Sequence, residues 1–176
     1  MAKPKVATTS LAGCFGCHMS FLDIDDRILK LIELVDFDKS PVDDIKKFTG
    51  RCLVGLIEGG CCNEENVRVL QDFRAHCDIL ISVGECAIAG GIPAMRNAIP
   101  LEECLRESYL KGPTIYNPTK TIPNDEEIPL LLDRVYPCIL YTSDAADDLP
   151  CVELGGRRII KTKTHQTQTF LSFLPY

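Results

Sequence analysis

The feature that most constrains the fold is a set of short apolar runs that alternate with stretches of helical periodicity. Cys52–Ile57 and Asp78–Val83 are two runs of strand length, and a third run, Lys5–Thr9, has β-type composition. Strands that are apolar on both faces are typical of parallel sheets covered by helices. The sequence therefore predicts an α/β protein with a flavodoxin-like parallel sheet and helices on both faces. Such a sheet would have a further strand after residue 138, and we predict that this C-terminal strand is missing and the domain is truncated.

The segments between these runs space their apolar residues like helices. Such spacing predicts an amphipathic helix over residues 18–35 and a second helix over Glu64–His76. Further elements are expected over these ranges: a loop or short edge strand over 37–44, short helices over 92–99, 101–109 and 129–135, and proline-rich irregular backbone over 111–129.

Composition narrows the class of partner. The chain has 176 residues, is 45% hydrophobic and 25% charged, and carries a formal net charge of −6. Because no basic block stands out, nucleic acid and anionic membrane surfaces are not expected partners. No apolar run reaches the roughly 18–20 residues of a membrane span, so membrane insertion is not expected. No signal peptide is recognisable, and a cytoplasmic location is predicted.

Ten cysteines are many for a chain without an export signal. In a reducing compartment they indicate metal binding or redox chemistry rather than disulfides. Cys14 and Cys17 follow the first predicted strand, and Cys86 follows the third. Because the carboxyl ends of parallel strands meet at one edge of a sheet, these thiols are expected to converge. Three such thiolates are most simply explained as ligands of an iron–sulfur cluster, which normally takes four.

The Cys-x-x-Cys spacing of Cys14 and Cys17 also fits other sites. With His18 it matches the c-type haem attachment pattern, which requires an exported protein. A thioredoxin-like disulfide would suit a motif between strand and helix but leaves Cys86 unexplained. A zinc site needs a second suitably spaced pair, and the adjacent Cys61 and Cys62 match poorly, so we interpret them as packing residues.

A longer segment decides between these interpretations. Residues Leu11–Asp25 resemble the start of the small subunit of a [NiFe] hydrogenase, closest to the soluble, bidirectional, NAD-reducing type. The resemblance covers residues 5–138 and includes these segments: Glu58–Gly60, Glu65–Val67, Cys77–Leu80, Gly84–Ala87, Gly90–Pro93, Asn117–Pro118 and Ile128–Cys138. We therefore assign residues 1–138 to a small-subunit domain.

The resemblance implies an electron-transfer subunit with one [4Fe–4S] cluster. In that family the ligands correspond to Cys14, Cys17 and Cys86, with a fourth cysteine in a later Gly-Cys-Pro-Pro segment that this sequence lacks. The catalytic nickel and iron belong to a hydrogenase large subunit, so this chain holds no catalytic metal. Its other implied partners are diaphorase subunits that carry flavin and iron–sulfur clusters and reduce NAD.

Two residues near the motif allow more than one interpretation. Glu58, at a predicted strand end, is a candidate for a proton path between subunits. A helix N-terminal charge or a solvated turn residue is the interpretation we favour for it. His18 is expected to be a helix-start residue rather than a ligand.

Other functions remain open at this stage. A related protein is the 20 kDa-type iron–sulfur subunit of NADH dehydrogenase, in which the first motif has adjacent cysteines. A flavodoxin-like FMN-binding module would share the sheet, but no Ser/Thr-rich phosphate loop follows the first strand. A non-functional truncated product is a further possibility.

The C-terminal segment differs from the rest of the chain. Cys138–Asp147 and Glu153–Ile160 resemble the conceptual translation of a sequencing adapter, and a Thr/Lys/Gln-rich stretch follows them. Our hypothesis is that residues 139–176 are non-native sequence joined to a genuine domain. They are expected to be disordered or poorly packed.

Overall fold

The computed structural model describes residues 2–122 and 130–141. Its strands are β1 Lys5–Ser10, β2 Asp36–Phe37, β3 Cys52–Glu58, β4 Gly60–Asn63, β5 Cys77–Val83 and β6 Leu131–Pro137. Its α-helices are α1 Gly16–Leu22, α2 Arg27–Leu34, α3 Glu64–His76, α4 Glu85–Ala89 and α5 Leu101–Arg106. A 3₁₀-helix spans Pro93–Ala98, a π-helical turn spans Glu107–Lys111, and a second 3₁₀-helix spans Cys138–Tyr141.

Four of the strands form one parallel sheet in the order β2-β1-β3-β5. In its register Val6 lies beside Val54, and Val54 lies beside Ile79. The first strand therefore sits between the second and the third, as in flavodoxin-like sheets. The predicted α/β fold with a parallel sheet is confirmed, and the helix over Glu64–His76 has the predicted bounds.

The main core lies between this sheet and α3. Phe73 and Leu70 of α3 are fully buried, together with Ile57 of β3 and Ala7 of β1. Asn63 caps α3 by accepting a hydrogen bond from the backbone N–H three residues later, at 2.8 Å. This helix therefore fixes the sheet on one face. On the other face coverage is thinner, as shown by Ile79 and Ile81 of β5, which are 52% and 44% exposed.

Within the segment predicted as a helix over Pro129–Val135, the residues from Leu131 onward form strand β6, so that prediction is wrong. Strand β6 pairs antiparallel with β4, with Tyr136 opposite Cys61. Leu132 and Val135 are its buried residues. Their three-residue spacing imitates a helix, but it arises here because the ladder is irregular between Cys61 and Asn63.

The helix predicted over residues 18–35 is divided in two. Asp25 adopts a left-handed backbone conformation with φ of 53°, which a continuous right-handed helix cannot contain. The chain therefore turns between Leu22, the last residue of α1, and Arg27, the first of α2. The apolar spacing misled because it continues across a run of acidic residues that favours a turn.

Several expectations concern residues outside the described ranges. These are the strand after residue 138, most of the segment 139–176 and the end of the proline-rich segment. In the two ranges that the structure describes, no helix has the length and apolar character needed to cross a membrane.

Candidate metal centre

The three predicted cysteine ligands lie at the carboxyl edge of the parallel sheet. Cys14 is exposed in the loop after β1, while Cys17 in α1 and Cys86 in α4 are each partly buried. Burial raises the pKa of the Cys17 thiol, and contact with Glu58 and the nearby Cys14 and Cys86 thiols raises it further. Strands β1 and β5 therefore bring the three sulfurs into mutual electrostatic range, although β3 separates these strands.

Glycines leave space around two of these sulfurs. Gly84 has φ of 83°, and a Cβ on it would overlap the Cys17 sulfur. Gly91 has φ of 48°, and a Cβ there would lie 2.9 Å from the Cys86 sulfur. A larger residue at either position would displace the sulfur beside it, so these glycines allow the backbone to approach the two thiols closely.

The three cysteines supply thiolate donors, the ligand type that iron–sulfur clusters take. Across residues 2–122 and 130–141, no three His, Cys, Asp or Glu side chains converge as a site for one metal ion. In an iron–sulfur cluster each cysteine binds a different iron, so the thiolates surround the group without meeting at one point. Three thiols gathered at one sheet edge are the donor type that such a group takes.

A buried carboxylate lies beside this site. Glu58, the last residue of β3, is only 3% exposed, so its interpretation as a solvated turn residue is wrong. Its Oε2 accepts a hydrogen bond from the His18 backbone N–H at 3.1 Å. Burial acts to raise the pKa of Glu58, but a hydrogen bond from Ser10 and the His18 imidazole lower it overall. The carboxylate is therefore held charged inside the protein.

The imidazole of His18 is a second buried group, and its sequence position alone gives little sign of its contacts. His18 lies near the start of α1, as predicted, but it is only 6% exposed. Its Nδ1 lies 3.1 Å from Glu58 Oε1, and its ring stacks on Phe15 with centroids 4.7 Å apart. Its Nε2 is buried and has no hydrogen-bond partner among the described residues. One sequence signal for these contacts was available: Glu58 ends strand β3, which pairs with the strand that precedes the cysteine motif.

The chain is similar to known proteins in sequence and in fold. The family model described as NADH ubiquinone oxidoreductase, 20 Kd subunit, matches residues 14–132. The chain belongs to this family. Within the family it is 49% identical over 137 residues to the NAD-reducing hydrogenase HoxS subunit delta of Cupriavidus necator, an alignment covering 77% of this chain and 66% of the relative.

Two further relatives are more distant. The chain is 38% identical over 141 residues to a subunit of the F420-non-reducing hydrogenase of Methanothermobacter thermautotrophicus, covering 77% of this chain and 44% of the relative. It is 32% identical over 149 residues to the iron-sulfur subunit of the F420-non-reducing hydrogenase of Archaeoglobus profundus, covering 76% of this chain and 46% of the relative. The chain thus spans between 44% and 66% of the length of these curated relatives.

A solved structure has the same fold. A chain in the crystal structure of an NAD⁺-reducing [NiFe]-hydrogenase in the H₂-reduced state superposes with a TM-score of 0.75 at 49% identity. The match covers 81% of this chain and 79% of that chain. The resemblance to [NiFe] hydrogenase small subunits is therefore confirmed.

The remaining described cysteines of this family member are poorly placed as ligands. Burial raises the pKa of Cys61 and of Cys77 to about 12, and it raises that of Cys138 further. The Cys138 thiol donates a hydrogen bond to the Gly59 carbonyl at 3.0 Å, within the core. Such thiols are protonated packing groups, as predicted for Cys61, rather than thiolate ligands.

Proposed function

We propose that this chain is the electron-transfer small subunit of a [NiFe] hydrogenase and that Cys14, Cys17 and Cys86 hold its iron–sulfur cluster. The observation that carries the proposal is the gathering of these thiols at one sheet edge, where the backbone of Gly84 packs closely against the Cys17 sulfur. The relatives named as hydrogenase subunits also support the proposal. A cluster bound there would take up and release single electrons.

The cluster type we propose is [4Fe–4S]. The three cysteines leave one of its four positions without an assigned ligand, because the family's fourth cysteine lies in a Gly-Cys-Pro-Pro segment that this sequence lacks. A site with three protein ligands is more labile than one with four. We therefore expect the cluster to be lost readily in air or on exposure to a chelator.

The chain's own residues would bind the cluster and limit its access to water. The backbone N–H of Gly16 donates a hydrogen bond to the Cys14 sulfur at 3.4 Å, and such bonds stabilise a thiolate. Phe15 and the buried His18 cover one side of the same turn. These contacts set how strongly the site binds iron and how easily a bound cluster is reduced.

The partners in this proposal are a hydrogenase large subunit, which holds the catalytic metals, and flavin and iron–sulfur diaphorase subunits. Exposed apolar side chains lie close to Cys86, among them Ile88, Ile92 and Met95, which are 47%, 78% and 70% exposed. Exposed apolar side chains near a site are typical of a surface that a partner covers. We expect the chain alone to aggregate in sizing chromatography and a complex with the large subunit to elute as a single species. We place this assembly in the cytoplasm.

A second candidate has support in the family description, which names an NADH dehydrogenase subunit. In this chain Cys14 and Cys17 are separated by two residues, whereas the 20 kDa-type motif is expected to have adjacent cysteines. The hydrogenase role is therefore the one we favour. Co-expression of the chain with each candidate large partner discriminates between the two assignments.

Spectroscopy of the full chain after anaerobic incubation with iron and sulfide tests the cofactor. A broad brown absorbance shoulder, with an EPR signal after reduction, supports an iron–sulfur cluster. A structured yellow band would identify a flavin instead and would overturn the assignment. Absence of both iron and chromophore would also contradict it.

A further inference from the structure

The turn between Cys14 and Cys17 has a strained backbone conformation and lacks a capping hydrogen bond from its own side chains. Phe15 has φ of 63° and ψ of 9°, a left-handed conformation that is unusual for a residue with a side chain. Strained residues of this kind persist where surrounding contacts determine them. Phe15 is also the residue that precedes α1, and its side chain gives that helix no capping hydrogen bond.

Glu58 supplies the missing cap from another strand. Its Oε2 accepts the hydrogen bond of the His18 N–H, the third N–H of α1, at 3.1 Å. A capping side chain at position 15 would normally bind this same N–H. A carboxylate near the first turn is also favoured by the helix dipole. The end of β3 is thus attached to the start of α1.

The imidazole of His18 extends this attachment to the strained residue. One side of the imidazole approaches Glu58, with Nδ1 3.1 Å from Oε1. Its ring face stacks on Phe15, with an angle of 9° between the rings. The result is a continuous set of contacts from Glu58 through His18 to Phe15, one of the two residues between the cysteines.

We propose that Glu58 and His18 are positioning residues that hold the Cys14–Cys17 turn in the conformation that binds the cluster. What the turn binds rests on the function proposed above, but the positioning itself can be measured on the iron-free chain. The inference develops the helix N-terminal interpretation of Glu58 and assigns it a task that neither a proton path nor a solvated turn requires. It also explains why an acid and an imidazole are buried beside a motif of small residues and thiols.

The test compares hydrogen exchange in the iron-free full chain for four variants. Glu58→Ala removes the cap, whereas Glu58→Gln keeps an amide oxygen that can accept the His18 N–H. His18→Phe keeps a ring to stack on Phe15 but removes Nδ1. Glu85→Gln is the matched control, because Glu85 is an exposed glutamate at a helix start beside another predicted ligand, Cys86. Peptides covering residues 11–22 report on the turn, and the α3 amides that exchange by local opening report on general loosening of the fold.

We expect Glu58→Ala to speed exchange in residues 11–22 by about fivefold, the typical effect of losing one capping interaction, with α3 unchanged. Glu58→Gln should restore most of the protection, His18→Phe should show a smaller increase, and Glu85→Gln should match the wild type. Iron and sulfide incorporation should fall in the same order.

Wild-type exchange in residues 11–22 of Glu58→Ala would overturn the inference. An equal increase in α3 would also overturn it, since it would indicate general loosening. If Glu58→Ala does not fold, the same criteria apply to His18→Phe, where unchanged exchange or unchanged iron incorporation contradicts the proposal. The two proposals can also fail separately. If the wild-type chain binds no iron but the variants still show increased exchange in residues 11–22, the proposed function is refuted and the positioning role remains.

Discussion

Two buried carboxylates, Asp38 and Glu58, contrast a region that stabilises the fold with a region that builds a site. Both side chains are almost fully buried, at 2% and 3% exposure. Asp38 receives hydrogen bonds from the Lys5 ammonium at 2.8 Å and from the Thr49 backbone N–H and hydroxyl at 2.9 and 2.6 Å. These partners close the loop after β2 onto β1.

The partners of Glu58 belong instead to the cysteine turn. His18 donates its backbone N–H, and the Cys17 thiol is close enough for the carboxylate to raise its pKa. Burial alone therefore does not distinguish a structural acid from one that serves a site. The identity of the hydrogen-bond partners distinguishes them. We therefore expect changes near Asp38 to lower the free energy of unfolding and changes near Glu58 to lower iron incorporation.

The largest effect on stability is expected in the core beneath α3. Phe73→Ala should lower the free energy of unfolding by about 3–5 kcal/mol, because Phe73 is fully buried against the sheet and leaves a cavity. Denaturant unfolding measures this change. Iron incorporation at a temperature where the variant is folded should match the wild type. A variant that folds fully but binds no iron would show that the two regions are not separable.

A smaller loss is expected at the structural acid. Asp38→Asn should destabilise the chain by roughly 2 kcal/mol, since the Lys5 ammonium loses its charged partner and the Asp38 pKa is held at about 2 in the folded chain. Chemical denaturation at neutral pH provides the value. Unchanged iron incorporation in this variant, set beside reduced incorporation in Glu58→Ala, would strengthen the contrast. Equal losses of iron in Asp38→Asn and Glu58→Ala would contradict the contrast between the two regions.

The pH dependence of stability should carry the signature of Asp38. Its pKa is lowered from 3.8 to about 2, so its stabilising contribution is complete above pH 4 and is lost as pH falls from about 4 to 2. Hydrogen bonds from Lys5 and Thr49 outweigh the opposing effect of burial. Unfolding free energies measured over this range should fall less steeply for Asp38→Asn than for the wild type. Parallel curves would contradict the assignment.

The smallest effect is expected at a surface ion pair. Arg51 Nε lies 2.5 Å from Asp78 Oδ1, but the two side chains are 67% and 45% exposed. Solvent and salt screen such pairs, so Arg51→Ala should change the free energy of unfolding by about 0.5 kcal/mol or less. Denaturant unfolding at low and high salt measures this change. A loss as large as that of Asp38→Asn would show that exposure is a poor guide in this chain.

The parallel sheet was predictable because its strands are short and apolar and are joined by a helix of regular periodicity. Glu64–His76 shows this most clearly, since capping and apolar spacing agree at both ends. Strand β6 was not predictable, because its partner, Gly60–Asn63, is a short run of small and polar residues. Only tertiary pairing makes β6 a strand.

The cysteine edge was predictable in outline because the chemistry of thiols restricts their roles. The surroundings of Glu58 were not, since a glutamate followed by two glycines is typical of an exposed turn. Its burial depends on His18 and Ser10, which lie 40 or more residues earlier in the sequence. No local pattern reports a contact of that separation.

A serine scan of the cysteines after anaerobic incorporation of iron and sulfide tests the proposed cluster site most directly. Cys14→Ser, Cys17→Ser and Cys86→Ser are compared with Cys104→Ser, a change at a partly buried cysteine of α5. We predict that each of the first three loses most of its bound iron and visible absorbance, while Cys104→Ser retains both. Wild-type iron content in Cys17→Ser or Cys86→Ser would contradict the claim that these thiols form one site.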